Sequence, residues 1–217
     1  MVKNKKSLIA SGVLLIICMS LYFPFPNNQL LYTRTTFMSF PISDYDGYNV
    51  LAIIGSFLFI FAIVLLVKGI SKYHVRTVII VLFAYTLFPL GMVWMYQETL
   101  ATGIAAISYD GKGTCDFEQV KNELFKGECN LLMTNHSGHP VTFEVEFLDT
   151  FFPLSDTRLT SLMNENGPVE ITIEANREKM VNLEEVLDLS NVPNHVDGAS
   201  TMDVHFKILN GDKERVM

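Results

Sequence analysis

Hydrophobic positions change period part-way along the chain. Three runs in the first half carry no charge: Leu8–Phe23, Val50–Val67 and Val78–Tyr96. As helices rising 1.5 Å per residue they reach about 24, 27 and 28 Å, against a hydrocarbon core about 30 Å thick. From about residue 103 apolar and polar positions alternate instead. Val141, Phe143, Val145 and Phe147 alternate with Thr142, Glu144 and Glu146. Cys129, Leu131 and Met133 share a parity, as do Val169, Ile171 and Ile173, and Val204, Phe206 and Ile208. Period two marks strands with one buried and one wet face. Asp110-Gly111, Asn166-Gly167, Asp197-Gly198 and Asn210-Gly211 punctuate them with turn signals.

These patterns predict a membrane α plus all-β chain: three transmembrane helices, then an extracytoplasmic antiparallel β-sandwich. The expected segments are a cytoplasmic N-terminus (1–6), spans at 7–25, 49–67 and 77–96, an outer loop (26–48), a cytoplasmic link (68–76) and an outer domain (97–217). The stretch ECNLLMTNHSGHPVTFEVEFLD resembles an adjacent strand pair of the immunoglobulin-like modules common on bacterial surface proteins. That resemblance lies at the level of the fold and covers the outer half only. It implies a bacterial source.

Charge sets the orientation. Lys3, Lys5, Lys6, Lys68, Lys72 and Arg76 flank one side of the spans, and only Arg34 and Lys112 the other. Basic residues stay in the cytoplasm, so the outer domain faces outwards from a multi-pass plasma-membrane protein. Tyr22, Phe23, Tyr48, Tyr73, Trp94 and Tyr96 fall at the expected interfaces. The first run has a basic start but no A-x-A-like cleavage site, which favours a retained span over a signal peptide. The loop 26–48 is rich in Phe, Tyr, Leu and Met. Two placements fit it, on the membrane surface or beneath the outer domain.

Candidate chemistry is sparse. The runs contain no ionisable Asp, Glu, Lys, Arg or His, which argues against a proton relay or carrier; Gly55, Ser56 and Gly91 offer close helix approach, and Pro89 a kink. Residues 97–217 carry nine Lys/Arg and twenty-one Asp/Glu, a balance that excludes a nucleic-acid footprint. His136 and His139 lie three apart in TNHSGHP, between two alternating strands. Gly138 and Pro140 explain that stretch as a hairpin turn, and no third ligand accompanies the pair in a zinc pattern. Asn135-His136-Ser137 also matches a glycosylation acceptor. Glu184, Glu185 and Asp188 would crowd on one helical turn, as a solvated acidic face or a calcium site. No catalytic motif, cofactor or metal site is expected. Ser137 beside two histidines is no triad, because a triad is spatial.

Cys115 and Cys129 are the one covalent expectation. Both fall in the outer half, where disulfides persist, and a bridge would contribute about 3 kcal/mol in the chain-entropy model. The functional expectation is a surface protein whose outer domain binds a protein or envelope component, with the lipid bilayer as its other partner. The alternatives are an accessory subunit of a larger membrane complex and an extracytoplasmic metal-binding protein.

Overall fold

A computed structural model describes residues 2–27, 33–38, 40–44, 47–121, 124–149, 158–190, 192, 195, 198–202 and 204–217. It holds three α-helices and three antiparallel sheets, with no closed barrel among the described residues. The chain divides into two compact units, Met1–Phe25 with Thr33–Trp94, and Pro26–Tyr32 with Met95–Met217.

In the first unit α1 spans Lys5–Leu21 and α2 Val50–Gly69, and α3 begins at His74; α3 ends at Thr99, and from Met95 on it belongs to the second unit. Two of the three, α2 and α3, are long and apolar enough to cross a membrane. The 17-residue α1 is shorter than the expected span 7–25. Asn4 and Asn49 cap α1 and α2, each accepting a backbone N–H three residues on. Pro89 lies inside α3 without ending it.

Helices α1 and α2 run antiparallel along their length. Lys3 and Asn4 donate backbone N–H groups to Gly69 O. Ser11 Oγ donates to Ala62 O at 2.7 Å, and Cys18 Sγ lies 3.8 Å from Gly55 O. The buried face of α2 is Ala52, Gly55, Phe59, Ala62, Leu66 and Gly69. Its alternating steps of three and four repeat every seven residues, the seam along which left-handed helix pairs pack. Gly55 is needed there, since a Cβ would lie 2.9 Å from the Tyr22 ring. Gly91, by contrast, faces open space.

The expected loop 26–48 contains a three-stranded sheet: β1 (Thr33–Phe37), β2 (Phe40–Asp44) and β3 (Gly47–Tyr48). Phe40 is fully buried, with Tyr22, Phe59 and Tyr85 around it at ring-centroid distances of 5.1 to 5.9 Å. The apolar content that marks this loop in the sequence is thus partly core.

The second unit holds β4 (Ile107–Tyr109), β5 (Thr114–Lys121), β6 (Leu124–Asn135), β7 (Val141–Leu148), β8 (Val169–Ile173), β9 (Arg177–Asp188), β10 (Ala199–Thr201), β11 (His205–Asn210) and β12 (Lys213–Val216). One sheet runs β10-β5-β6-β4 with β9 also on β6; the other runs β12-β11-β7-β8. Inward side chains of both sheets form one apolar core. Leu131, Met133, Val145, Ile173 and Ile208 are all fully buried in it. Cys115 and Cys129 stand directly opposite each other on β5 and β6 and are bonded.

Three sequence expectations need correction here. Strands β6 and β7 are not a hairpin: they lie in different sheets, and the TNHSGHP turn carries the chain from one to the other. Each strand finds other partners, β5 and β9 for β6, β11 and β8 for β7. Glu184, Glu185 and Asp188 sit on a strand, not a helical turn. Pairing with β6 over twelve residues sends Glu184 and Asp188 to one face and Glu185 to the other. His205, at a polar position of the alternating pattern, is buried next to the core. Of the turn signals, Asp197 lies outside the described residues. Gly211 has φ +57° in the two-residue turn between β11 and β12, which explains its glycine.

Candidate functional site at the His136 turn

The TNHSGHP turn is organised by Asn135, the last residue of β6. Its side chain is fully buried. Nδ2 donates towards the carbonyls of His139, Ile173 and Glu174 at 2.9 to 3.1 Å. Oδ1 accepts from Ser137 N and Ser137 Oγ. The Ser137 carbonyl in turn accepts from Asn176 N. One amide therefore satisfies backbone groups from the turn, from the end of β8 and from the β8–β9 connection. In the folded chain it is not accessible to a glycan.

With the turn fixed, His136 points both ring nitrogens at side chains from other elements. Nδ1 lies 2.7 Å from Glu98 Oε1, in the last turn of α3. Nε2 lies 2.8 Å from Ser108 Oγ, in the middle of β4. The imidazole is mostly covered, with its side chain 16% exposed, and Glu98 is 41% exposed. His136 N also donates to Ala106 O at 3.0 Å, which locks the turn to the segment before β4. Glu98 and Ser108 are invisible to sequence reasoning centred on TNHSGHP, since they precede His136 by 38 and 28 residues.

Glu98 and His136 also line a cleft of about 390 Å³, with Thr102, Ser137, His139 and Asn210 among its other walls. The volume suits a small ligand. His139 is exposed on its rim and does not converge with His136 on a third donor; no group of three His, Cys, Asp or Glu residues is placed to hold a metal ion among the described residues.

Beneath the cleft a short 3₁₀ turn, Gly103–Ala106, is clamped by two buried polar side chains. Gln97 Nε2 donates to Ala105 O and Ile107 O. Arg215, on β12, sends Nη1 to Ile104 O, Ala105 O and Ile107 O, and Nε to Pro26 O. Asn27 Oδ1 accepts from Val216 N. Burial pushes the Arg215 guanidinium down to about 10, an effect partly countered by Tyr96, and so leaves it charged at neutral pH. The first two residues of the expected outer loop thus belong to the β unit.

On the outer face of the β10-β5-β6-β4 sheet, Asp116, Glu128 and Glu184 stand in one row across three strands. Lys126 bonds Glu184 at 3.1 Å and Glu128 at 3.4 Å. Those two acids hold its ammonium above the usual lysine range, Glu184 first.

Comparison with protein-family models, with curated proteins and with solved structures finds no match for this chain.

Proposed function

We propose that the chain is a multi-pass membrane protein that displays an immunoglobulin-like sandwich outside the cell, where the sandwich binds a protein or envelope component. The observation that carries the reading is the contrast between the two units. The β unit closes its own core and carries a disulfide, which persists in oxidising compartments. The helical unit leaves large apolar side chains outside, with Ile80 66% and Phe83 65% exposed on α3. Such a surface needs lipid or a partner.

Helix α1 is the third span of this reading. It contacts α2 from Leu8 beside Gly69 to Tyr22 beside Gly55, so a bilayer crossed by α2 encloses α1 as well. The basic bias then places Lys3, Lys5, Lys6, Lys68, Lys72 and Arg76 in the cytoplasm and the β unit outside. Ligands reach the β unit at the cleft beside Glu98 and His136.

A second reading, an accessory subunit of a membrane complex, is favoured by one feature. An apolar groove of about 560 Å³ lies between α1 and α3, lined by Leu15, Met19, Phe23, Ala84 and Phe88 among others, and a partner helix would fill it. Co-purification from mild detergent separates the two. Partners retained by the full chain but lost when residues 95–217 are removed support the display reading. Partners retained by residues 1–94 support the subunit reading.

A further inference from the structure

Glu98, His136 and Ser108 form a continuous carboxylate–imidazole–hydroxyl chain, and the proton positions along it follow from the donor inventory. A carboxylate offers only acceptors. The 2.7 Å bond from Glu98 Oε1 to His136 Nδ1 therefore requires the hydrogen on Nδ1. In the neutral imidazole Nε2 is then the bare nitrogen, and the 2.8 Å bond to Ser108 Oγ requires the serine to donate. This is the tautomer in which a histidine acts as general base towards a serine, with the carboxylate holding ring and charge. Ser137, the hydroxyl next to His136 in sequence, is committed to Asn135 and the His139 carbonyl. Ser108 is the hydroxyl that the fold supplies.

We propose that Ser108 is an activated nucleophile that takes an acyl group from a small ester approaching beside the His136 cleft. This goes beyond the display reading and does not depend on it. Ser108 is half-buried, and both other members of the chain line the cleft. In the first step Oγ bonds to the ester carbonyl carbon while its proton passes to His136 Nε2. The tetrahedral adduct collapses with cleavage of the ester C–O bond, and the departing alcohol oxygen takes the proton from Nε2. Water then attacks the acyl-serine by the same route, giving a carboxylic acid and restoring the serine hydroxyl. Glu98 takes no proton in these steps and acts as a positioning residue for the imidazole.

The test uses the full chain in detergent and a fluorophosphonate probe, whose phosphorus bonds to an activated serine oxygen as fluoride leaves. Peptide mapping locates the label. The expected result is label on Ser108, none there in Ser108→Ala, and labelling slowed at least about 100-fold in His136→Asn. Glu98→Gln is expected to slow labelling at least ~10-fold, and Glu98→Asp, which keeps the carboxylate, to recover most of that rate, which a purely structural tie would not do. Wild-type protein unlabelled at Ser108 overturns the proposal, as does a His136→Asn rate equal to wild type. Should His136→Asn lose its melting transition, Glu98→Gln decides: an unchanged labelling rate also overturns the proposal.

Discussion

Glu98 Oε1 lies 2.7 Å from His136 Nδ1, so the last turn of α3 is tied to the connection between two β-sheets. Both groups keep some solvent access, which limits the energy of the tie. A double-mutant cycle of Glu98→Gln and His136→Asn is expected to give a coupling of about 0.5–1 kcal/mol, read from denaturant unfolding. Additive effects would show that the pair is a solvent-screened contact with no energetic role.

Asn135 carries more. Truncation to alanine removes this donor from the His139, Ile173 and Glu174 carbonyls and this acceptor from the Ser137 amide. Asn135→Ala is expected to cost about 3 kcal/mol and to lower the melting temperature, whereas His139→Ala, at an exposed position, should stay within about 0.5 kcal/mol. Equal effects would contradict this account of the turn.

The alternating strands were legible in the sequence because each residue pair on a strand divides between core and solvent. Leu131, Met133, Phe143 and Phe147 have the burial that their parity implies. Period two does not say which strand is the neighbour, so the same pattern reads as a hairpin or as a crossing between sheets. The acidic segment of β9 was ambiguous for a related reason. Carboxylates at 184, 185 and 188 suit a helical turn, and only pairing with β6 makes them a strand. The His136 constellation was not legible at all. Its members come from α3, β4 and the β6–β7 turn, and only tertiary structure brings them together.

Removing the disulfide with Cys115→Ser and Cys129→Ser is expected to cost about 2–4 kcal/mol. Non-reducing peptide mapping of exported protein should recover the 115–129 cross-link, and Cys18 should remain a free thiol. Alkylation of both outer cysteines without prior reduction would remove this support.

Residues on the N-terminal side of Gly103 also bond to the β unit. Gln97 and Glu98 bond to the 3₁₀ turn and to His136. A soluble fragment of 95–217 is therefore expected to melt cooperatively and at a higher temperature than 103–217. Within it, Arg215→Ala should cost about 2–3 kcal/mol, because the Ile104, Ala105 and Ile107 carbonyls lose a charged donor. Identical melting of the two fragments would show that the clamp contributes nothing.

The most direct test of the central reading is the side of the membrane on which the β unit lies. Alkaline phosphatase, active only in an oxidising exterior, is fused after Met217 and separately after Ser71 in the α2–α3 link. Three spans with a cytoplasmic link predict high activity at 217 and none at 71. High activity at 71 with none at 217 would contradict the display of the β unit outside the cell.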